Sequence, residues 1–351
     1  MVYELPPMRP PSEAFSLLLR VHRGCPWNRC AFCDAYKDMK FDKTSIRPVE
    51  DIKRDILSAR ELLDQVVQAS WLVGEKGEVT DRVRGYMLQR HFLDIGLFPW
   101  LLRYGPPRTA FLGDSNAIVL KTEPLVEILE FLRQTFPSIQ RVTSYGRART
   151  AATKAPEEME ALARAGLSRL HIGLETGDDE LLTLVQKGAT GAHMAEAARR
   201  VKGAGISLSM YVMPGLGGVE RSRQHALNTA KVLNQADPHY MRFRSFVPRR
   251  GTPLFEQYEG GQLQLLSPHG YVKEILLMVE TMEVTGRVAF DHIINPCYKE
   301  GNRLVPLLDP DNEGYQFPEK KPEVLAALER GLDIDESRFI RAEQWILREH
   351  L

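Results

Sequence analysis

Residues 15–33 read FSLLLRVHRGCPWNRCAFC, and the rest of the chain is read outward from them. Phe15 to Arg23 is apolar and ends at Gly24, the signal of a strand running into a loop. The loop carries Cys25, Cys30 and Cys33 in a C-x4-C-x2-C arrangement, three of the chain's four cysteines within nine residues. A chain of 351 residues has core enough to fold without a disulfide framework, so such a cluster reads as metal binding or catalysis. Soft thiolates favour iron–sulfur or zinc over hard cations. Three thiolates on a tight loop can hold three irons of a [4Fe–4S] cluster, which normally takes four cysteines. The fourth iron is then open to an exogenous ligand, as the open position of a catalytic zinc is. Two alternatives stand beside this: zinc with His22 or His91 as fourth ligand, and an electron-transfer cluster closed by Cys297.

Strand-like and helix-like segments alternate after the loop. Strands are expected at Thr109–Gly113, Gln140–Tyr145, Ser168–Leu174, Ile206–Met213 and Tyr240–Phe246. Between them, helical spacing or helix punctuation marks Pro48 to about Val73, Thr122–Phe136, Pro156–Ala165, Asp179–Gln186, Ala192–Ala204 and Gly218–Gln235. Strands alternating with helices imply a parallel sheet. The fold expected is α/β: an open partial (β/α)6 barrel over residues 15–255, after a lead-in of residues 1–14. A helical element is inserted at about residues 75–103. Residues 256–351 are expected to form a mainly helical C-terminal appendage over the substrate, with one strand at Arg287–Ile294 and a helical end from Pro322 to Leu351.

Forty-six basic and 46 acidic residues give zero net charge, without the electrostatic footprint of a general nucleic-acid binder. No apolar run reaches the roughly 20 residues that span a bilayer, and the N-terminal residues show no apolar signal region, so the default expectation is cytoplasmic.

With the cysteines as they stand, GCPWNRCAFC after the first strand resembles the radical S-adenosylmethionine (radical SAM) superfamily. The commonest motif there is C-x3-C-x2-C, one residue shorter in its first interval. Phe32 matches the aromatic before the last cysteine. Further segments resemble the superfamily in order. AFLGDSNAI (110–118) resembles its second-strand end, with Gly113 and Asp114 placed for the SAM ammonium. VTSYGRA (142–148) resembles the third, with Ser144 and Arg147 facing the SAM carboxylate. HIGLETGDDELLTLVQKGAT (171–190) resembles the coproporphyrinogen-oxidase-like, methylthiotransferase-like and B12-dependent members, and Glu175 would take a ribose hydroxyl or the ammonium. SMYVMPGLGG (209–218) would pack the adenine with Val212 and Met213. RFRSFVPRRGTPLF (242–255) resembles the sixth strand, with Arg242 and Arg244 both alternating inward, toward SAM, an anionic substrate or Glu175.

The resemblance implies a [4Fe–4S] cluster, SAM, and reductive cleavage to a 5′-deoxyadenosyl radical that abstracts hydrogen from a substrate it does not name; the Arg-rich sixth strand favours a carboxylate- or phosphate-bearing, anionic small molecule. It also implies a reductant such as flavodoxin or ferredoxin. Neither a membrane nor a nucleic acid is expected as partner. The alternatives are a non-catalytic iron–sulfur or zinc module and an RNA-modifying enzyme of the same superfamily. Cys297, outside the cluster, is a candidate hydrogen-atom donor or covalent way-station.

Overall fold

The computed structural model describes residues 3–6, 8–37, 45–90, 101 and 105–346. Strand β1 (Leu17–Arg20) is buried along its whole length, as a strand covered on both faces must be. It is followed by a two-residue strand β2 (His22–Arg23), which pairs antiparallel with β3 (Ser45–Ile46). The ribbon closes the base of the cysteine loop. The long helix Val49–Leu72 then buries Ile52, Ile56, Ala59, Leu63 and Val66 on one stripe, with Glu50 and Asp51 in its positively polarised first turn.

The strands that follow are β4 (Thr109–Gly113), β5 (Arg141–Gly146), β6 (Leu167–Glu175), β7 (Ser207–Val212), β8 (Tyr240–Phe243) and β9 (Arg287–Ala289). Together with β1 they pair parallel in chain order. Helices Thr122–Thr135, Pro156–Ala165, Gly191–Gly203 and Gly218–Ala236 connect them and bury their apolar stripes. The fold is α/β with a mostly parallel central sheet, and the sheet stays open: β1 forms one edge and a short strand from the C-terminal part forms the other.

The C-terminal part enters this sheet further than the alternation announced. β9 adds a parallel strand beside β8, and β12 (Tyr315–Gln316) pairs antiparallel with β9 to complete eight strands. β9 covers only the first three residues of the strand expected at Arg287–Ile294, because the chain turns away after Phe290. A separate hairpin, β10 (Cys297–Glu300) with β11 (Arg303–Pro306), lies between them. The remaining structure here is mainly helical: Pro253–Glu259, Pro268–Thr281, Lys321–Asp333 and Ala342–Ile346. Within the expected insertion, Asp81–Arg90 is helical, and residues 91–100 and 102–104 lie outside the described residues, as do 347–351 of the expected final helix.

The lower end of the barrel is stopped by the N-terminal turn Pro11–Glu13. Its Glu13 is wholly buried and accepts from Arg141 at 3.0 Å. At the upper end, a buried ionic network fixes the root of the cysteine loop. Asp114 Oδ2 accepts from Arg20 Nε at 3.1 Å and Nη2 at 2.7 Å, and from the Gly24 N–H at 2.8 Å. Glu4 then bridges Arg20, Arg23 and Arg47, and Arg47 pairs with Asp55 at 2.6 Å. Removing one partner of a buried pair leaves a charge without compensation, a loss of about 3 kcal/mol. Asp114→Ala is therefore expected to lower the thermal unfolding midpoint by several degrees. An unchanged midpoint would show that the network does not hold this end of the barrel.

Candidate active site

A pocket of about 310 Å³ opens at the C-terminal ends of the strands, where a parallel α/β sheet collects loops from many units. Cys25, Cys30 and Cys33 line it, all half-buried. The loop between them is tied on both sides. The Ala31 N–H donates to the Val185 carbonyl at 2.9 Å, and the Ala31 carbonyl accepts from the Leu254 N–H at 3.0 Å. Trp27 Nε1 donates to the Gln186 carbonyl at 2.6 Å. Asn28 adopts φ 46°, a left-handed conformation that asparagine tolerates, and its N–H reaches Cys25 Sγ at 3.4 Å.

Burial pushes the Cys33 thiol up to about 11 and raises Cys30 as well. Binding to a positive metal centre favours their thiolate forms. Among the described residues no three His, Cys, Asp or Glu side chains stand ready around one ion. A cubane cluster puts each thiolate on a different iron, so its ligands stand farther apart than those of a single ion. Three thiols on the wall of one pocket, with no carboxylate or imidazole in the loop between them, fit a cluster better than a lone zinc. His22 is wholly buried and does not line the pocket; His91 lies outside the described residues.

Glu175 ends β6 with φ 62°, and its Oε1 pairs with Lys187 Nζ at 2.6 Å. Both groups line the pocket. A glycine two residues earlier makes room for them: a Cβ on Gly173 would fall 2.0 Å from Glu175 Oε1 and 2.8 Å from Lys187 Nζ. Burial alone would lower the Lys187 pKa, but Glu175 and Cys30 outweigh it and hold the ammonium above its usual value. The same ammonium lies over the Phe32 ring at 5.6 Å. Arg147 stacks on Trp27 at 5.0 Å and donates to the Lys187 carbonyl at 2.8 Å. Its pKa is lowered by burial, against the pull of Cys25 and Cys30. Met213 lines the pocket next to Glu175, whose carbonyl accepts the Met213 N–H at 2.9 Å.

The pocket thus brings together Cys25, Cys30, Cys33, Phe32, Arg147, Glu175 and Met213 of the expected site. Arg244 joins them, whereas Gly113, Asp114, Ser144, Val212, Arg242 and Cys297 stand outside its lining. Gly113 faces the N-terminal lead-in, since a Cβ there would meet Pro6 at 2.4 Å. Asp114 Oδ2 holds Arg20 and Gly24, while its buried Oδ1 has no partner among the described residues. Ser144 donates to the carbonyls of Leu112 (3.0 Å) and Tyr145 (2.9 Å) within the sheet. Val212 is wholly buried core. Arg242 was expected to meet SAM, substrate or Glu175, and instead pairs with Asp291 inside the barrel. It sits one inward position deeper than Arg244, which does line the pocket. Cys297 is 3% exposed and packs with Val247, Ile294 and Trp345. It is not among the pocket residues that Cys25, Cys30 and Cys33 line.

Tyr145, His171 and Tyr211, which were not singled out in the sequence, form one side of the pocket. Their ring centroids are 6.0 Å and 5.6 Å apart in that order. The signal was present: the alternation that turns Arg242 and Arg244 inward also turns Tyr145, His171 and Tyr211 inward.

The family model of the Radical SAM superfamily matches residues 19–230. The heme chaperone HemW of Bacillus subtilis is 22% identical over 181 residues, covering 51% of this chain and 47% of that protein. The uncharacterized protein YtqA of the same organism is 23% identical over 136 residues, covering 37% and 42%. The chain therefore spans under half the length of these two curated relatives. Coproporphyrinogen III oxidase (HemN) from Escherichia coli aligns in structure with a TM-score of 0.43 at 15% identity, over 76% of this chain and 51% of that one. With the cysteine loop, the parallel sheet and a family match across more than half of its length, the chain belongs to the radical SAM superfamily, whose cofactors are a [4Fe–4S] cluster and S-adenosylmethionine.

Proposed function

We propose that this protein is an enzyme in which Cys25, Cys30 and Cys33 hold the cluster and the adjoining pocket binds SAM, for hydrogen abstraction from an anionic small molecule. The observation that carries this is the convergence of the three thiols, the Glu175–Lys187 pair and Arg147 on one pocket. A cluster held by these cysteines and reduced by a carrier such as flavodoxin or ferredoxin would supply the one electron needed to split the SAM sulfonium into methionine and a 5′-deoxyadenosyl radical.

The chain's own groups bind and orient. Arg147 presents a planar fork suited to a carboxylate, and its stacking on Trp27 restricts where the fork points. Glu175 offers an acceptor for a ribose hydroxyl or an ammonium, with Lys187 holding its carboxylate in place. Phe32 and Met213 contribute apolar wall. Asp114, Ser144, Gly113 and Val212 act one step back: Asp114 anchors the loop root and the others build the strand ends that carry the site.

Two outcomes follow. After anaerobic reconstitution with iron and sulfide, dithionite and SAM should yield 5′-deoxyadenosine by chromatography, and Cys30→Ala should lose both iron and product; full iron and activity in that variant would sink the ligand assignment. Gly173→Ala should retain iron but push Glu175 and Lys187 apart, weakening SAM binding about tenfold in equilibrium dialysis. Unaltered SAM affinity would remove the pair from the cofactor site.

A further inference from the structure

Among the described residues, four cationic side chains line the pocket, Arg147, Lys187, Arg244 and Arg249, against two carboxylates, Asp34 and Glu175. Lys187 pairs with Glu175 at 2.6 Å and Arg249 with Asp34 at 3.3 Å. Arg147 stands on the cofactor side, over Trp27 and in the field of Cys25 and Cys30. Arg244 remains. Its N–H donates to the Val212 carbonyl at 2.9 Å, but its guanidinium has no partner among the described residues. A guanidinium does not lose its charge in a protein, so a half-buried one on a pocket wall with no internal partner is free to pair with an anion that enters.

The neighbouring polar groups are in the same condition. His171 is wholly buried and lines the pocket, yet neither ring nitrogen has a partner among the described residues. The Tyr211 hydroxyl, also at the pocket, is buried and unpartnered. Native interiors rarely leave such groups unsatisfied, so each calls for a water or a ligand. Register places them together. Tyr211 pairs with Arg242 across β7 and β8, so Arg244, two residues on, shares the inward face one position higher. Tyr211 and His171 are ring neighbours at 5.6 Å.

We propose that this wall binds the substrate: a carboxylate on the substrate pairs with Arg244 and accepts hydrogen bonds from Tyr211 and His171, and a flat apolar body lies along the rings of Tyr145, His171 and Tyr211. One unpaired cation on this side matches one negative charge, which favours a carboxylate over a doubly charged phosphate. This names the substrate class for the enzyme proposed above and takes the word substrate from that proposal. The binding itself requires neither cluster nor SAM.

The test is isothermal titration of the full chain, without reconstitution, with benzoate, benzamide and inorganic phosphate. Benzoate is expected to bind and neutral benzamide to bind at least about tenfold more weakly. Arg244→Gln should weaken benzoate about 10- to 100-fold, and Arg244→Lys, which keeps the charge but not the fork, should fall between. Tyr211→Phe should cost several-fold. Arg250→Gln, at an exposed position outside the pocket, should change nothing. Arg244 has no internal partner, so its replacement leaves no buried charge behind, and circular dichroism checks that each variant is folded. Equal benzoate affinity in folded Arg244→Gln, or no binding of any anion at millimolar concentration, overturns the proposal. Phosphate binding more tightly than benzoate, with the same dependence on Arg244, overturns the carboxylate. Benzoate binding without SAM cleavage would count against the enzyme alone, and SAM cleavage without benzoate binding against this site alone.

Discussion

Everything at the mouth of this barrel hangs from the carboxylate of Asp114. It sits at the exit of β4 with 1% exposure, where burial raises its pKa and Arg20 and the Gly24 N–H pull it back down. A buried ionic pair is weak evidence for net stability, because desolvation offsets much of the attraction. Its value here is positional. Arg20 is the last residue of β1 and Gly24 the residue before Cys25, so one carboxylate sets the direction in which the chain leaves the sheet and enters the cysteine loop. The far side of the loop is held by backbone bonds from Ala31 to Val185 and Leu254. A nine-residue segment with no regular structure is thereby made to present three sulfurs to one cavity.

The same economy of backbone governs the opposite wall. Lys187 belongs to the segment that receives Trp27 and Ala31 from the cysteine loop. Its ammonium therefore reaches Glu175 from a segment that is itself braced against the cysteine loop. Gly173 is the condition for this, because any side chain there would occupy the space of the ion pair. Thiols, cation and carboxylate are coupled through contacts a few residues long, and a shift in one segment moves all three groups.

Much of this was legible in the sequence. Thr109–Gly113 and Pro156–Ala165 fold with the expected limits, because Gly and Pro punctuate them and their apolar residues follow one period. The cysteine spacing and the strand-end motifs picked out Cys25, Cys30, Cys33, Arg147 and Glu175, and the structure brings all five to one pocket. What escaped had no local signature. β9 is three residues long and β12 two, too short for alternation to register, and they join the sheet only through partners far away in the chain. Alternation showed that Arg242 and Arg244 point inward but not how deep each lies, and one step along the strand separates a buried pair with Asp291 from a place at the pocket. Asp114 has the composition of a ligand-binding turn; only the approach of Arg20, 94 residues earlier, shows that its oxygen is already engaged. Cys297 lies in a polar stretch of sequence, yet packs among Val247, Ile294 and Trp345 because its neighbours turn outward.

The interior of the barrel explains why the two walls of the pocket differ in kind. A barrel core filled for stability alone is layered with branched aliphatic residues. Here the inward positions of β6, β7 and β8 carry Arg169, His171, Ser209, Tyr211, Tyr240 and Arg242. Arg242, Arg169 and Arg141 add to burial in keeping His171 far below its usual pKa, so the ring is neutral and able both to donate and to accept. Asp291 neutralises Arg242, and Tyr240 lies under the faces of both Arg169 and Arg242 at 4.4 Å and 5.3 Å. Ser209 Oγ and the Nε atoms of Arg169 and Arg242 nonetheless have no hydrogen-bond partner among the described residues, like the Tyr211 hydroxyl and both His171 nitrogens, so unsatisfied polar atoms run through the barrel interior up to the pocket. The loop carries the cysteine motif of the superfamily, and the inner faces of β6 and β7, with Arg244 just past β8, line part of the rest of the pocket.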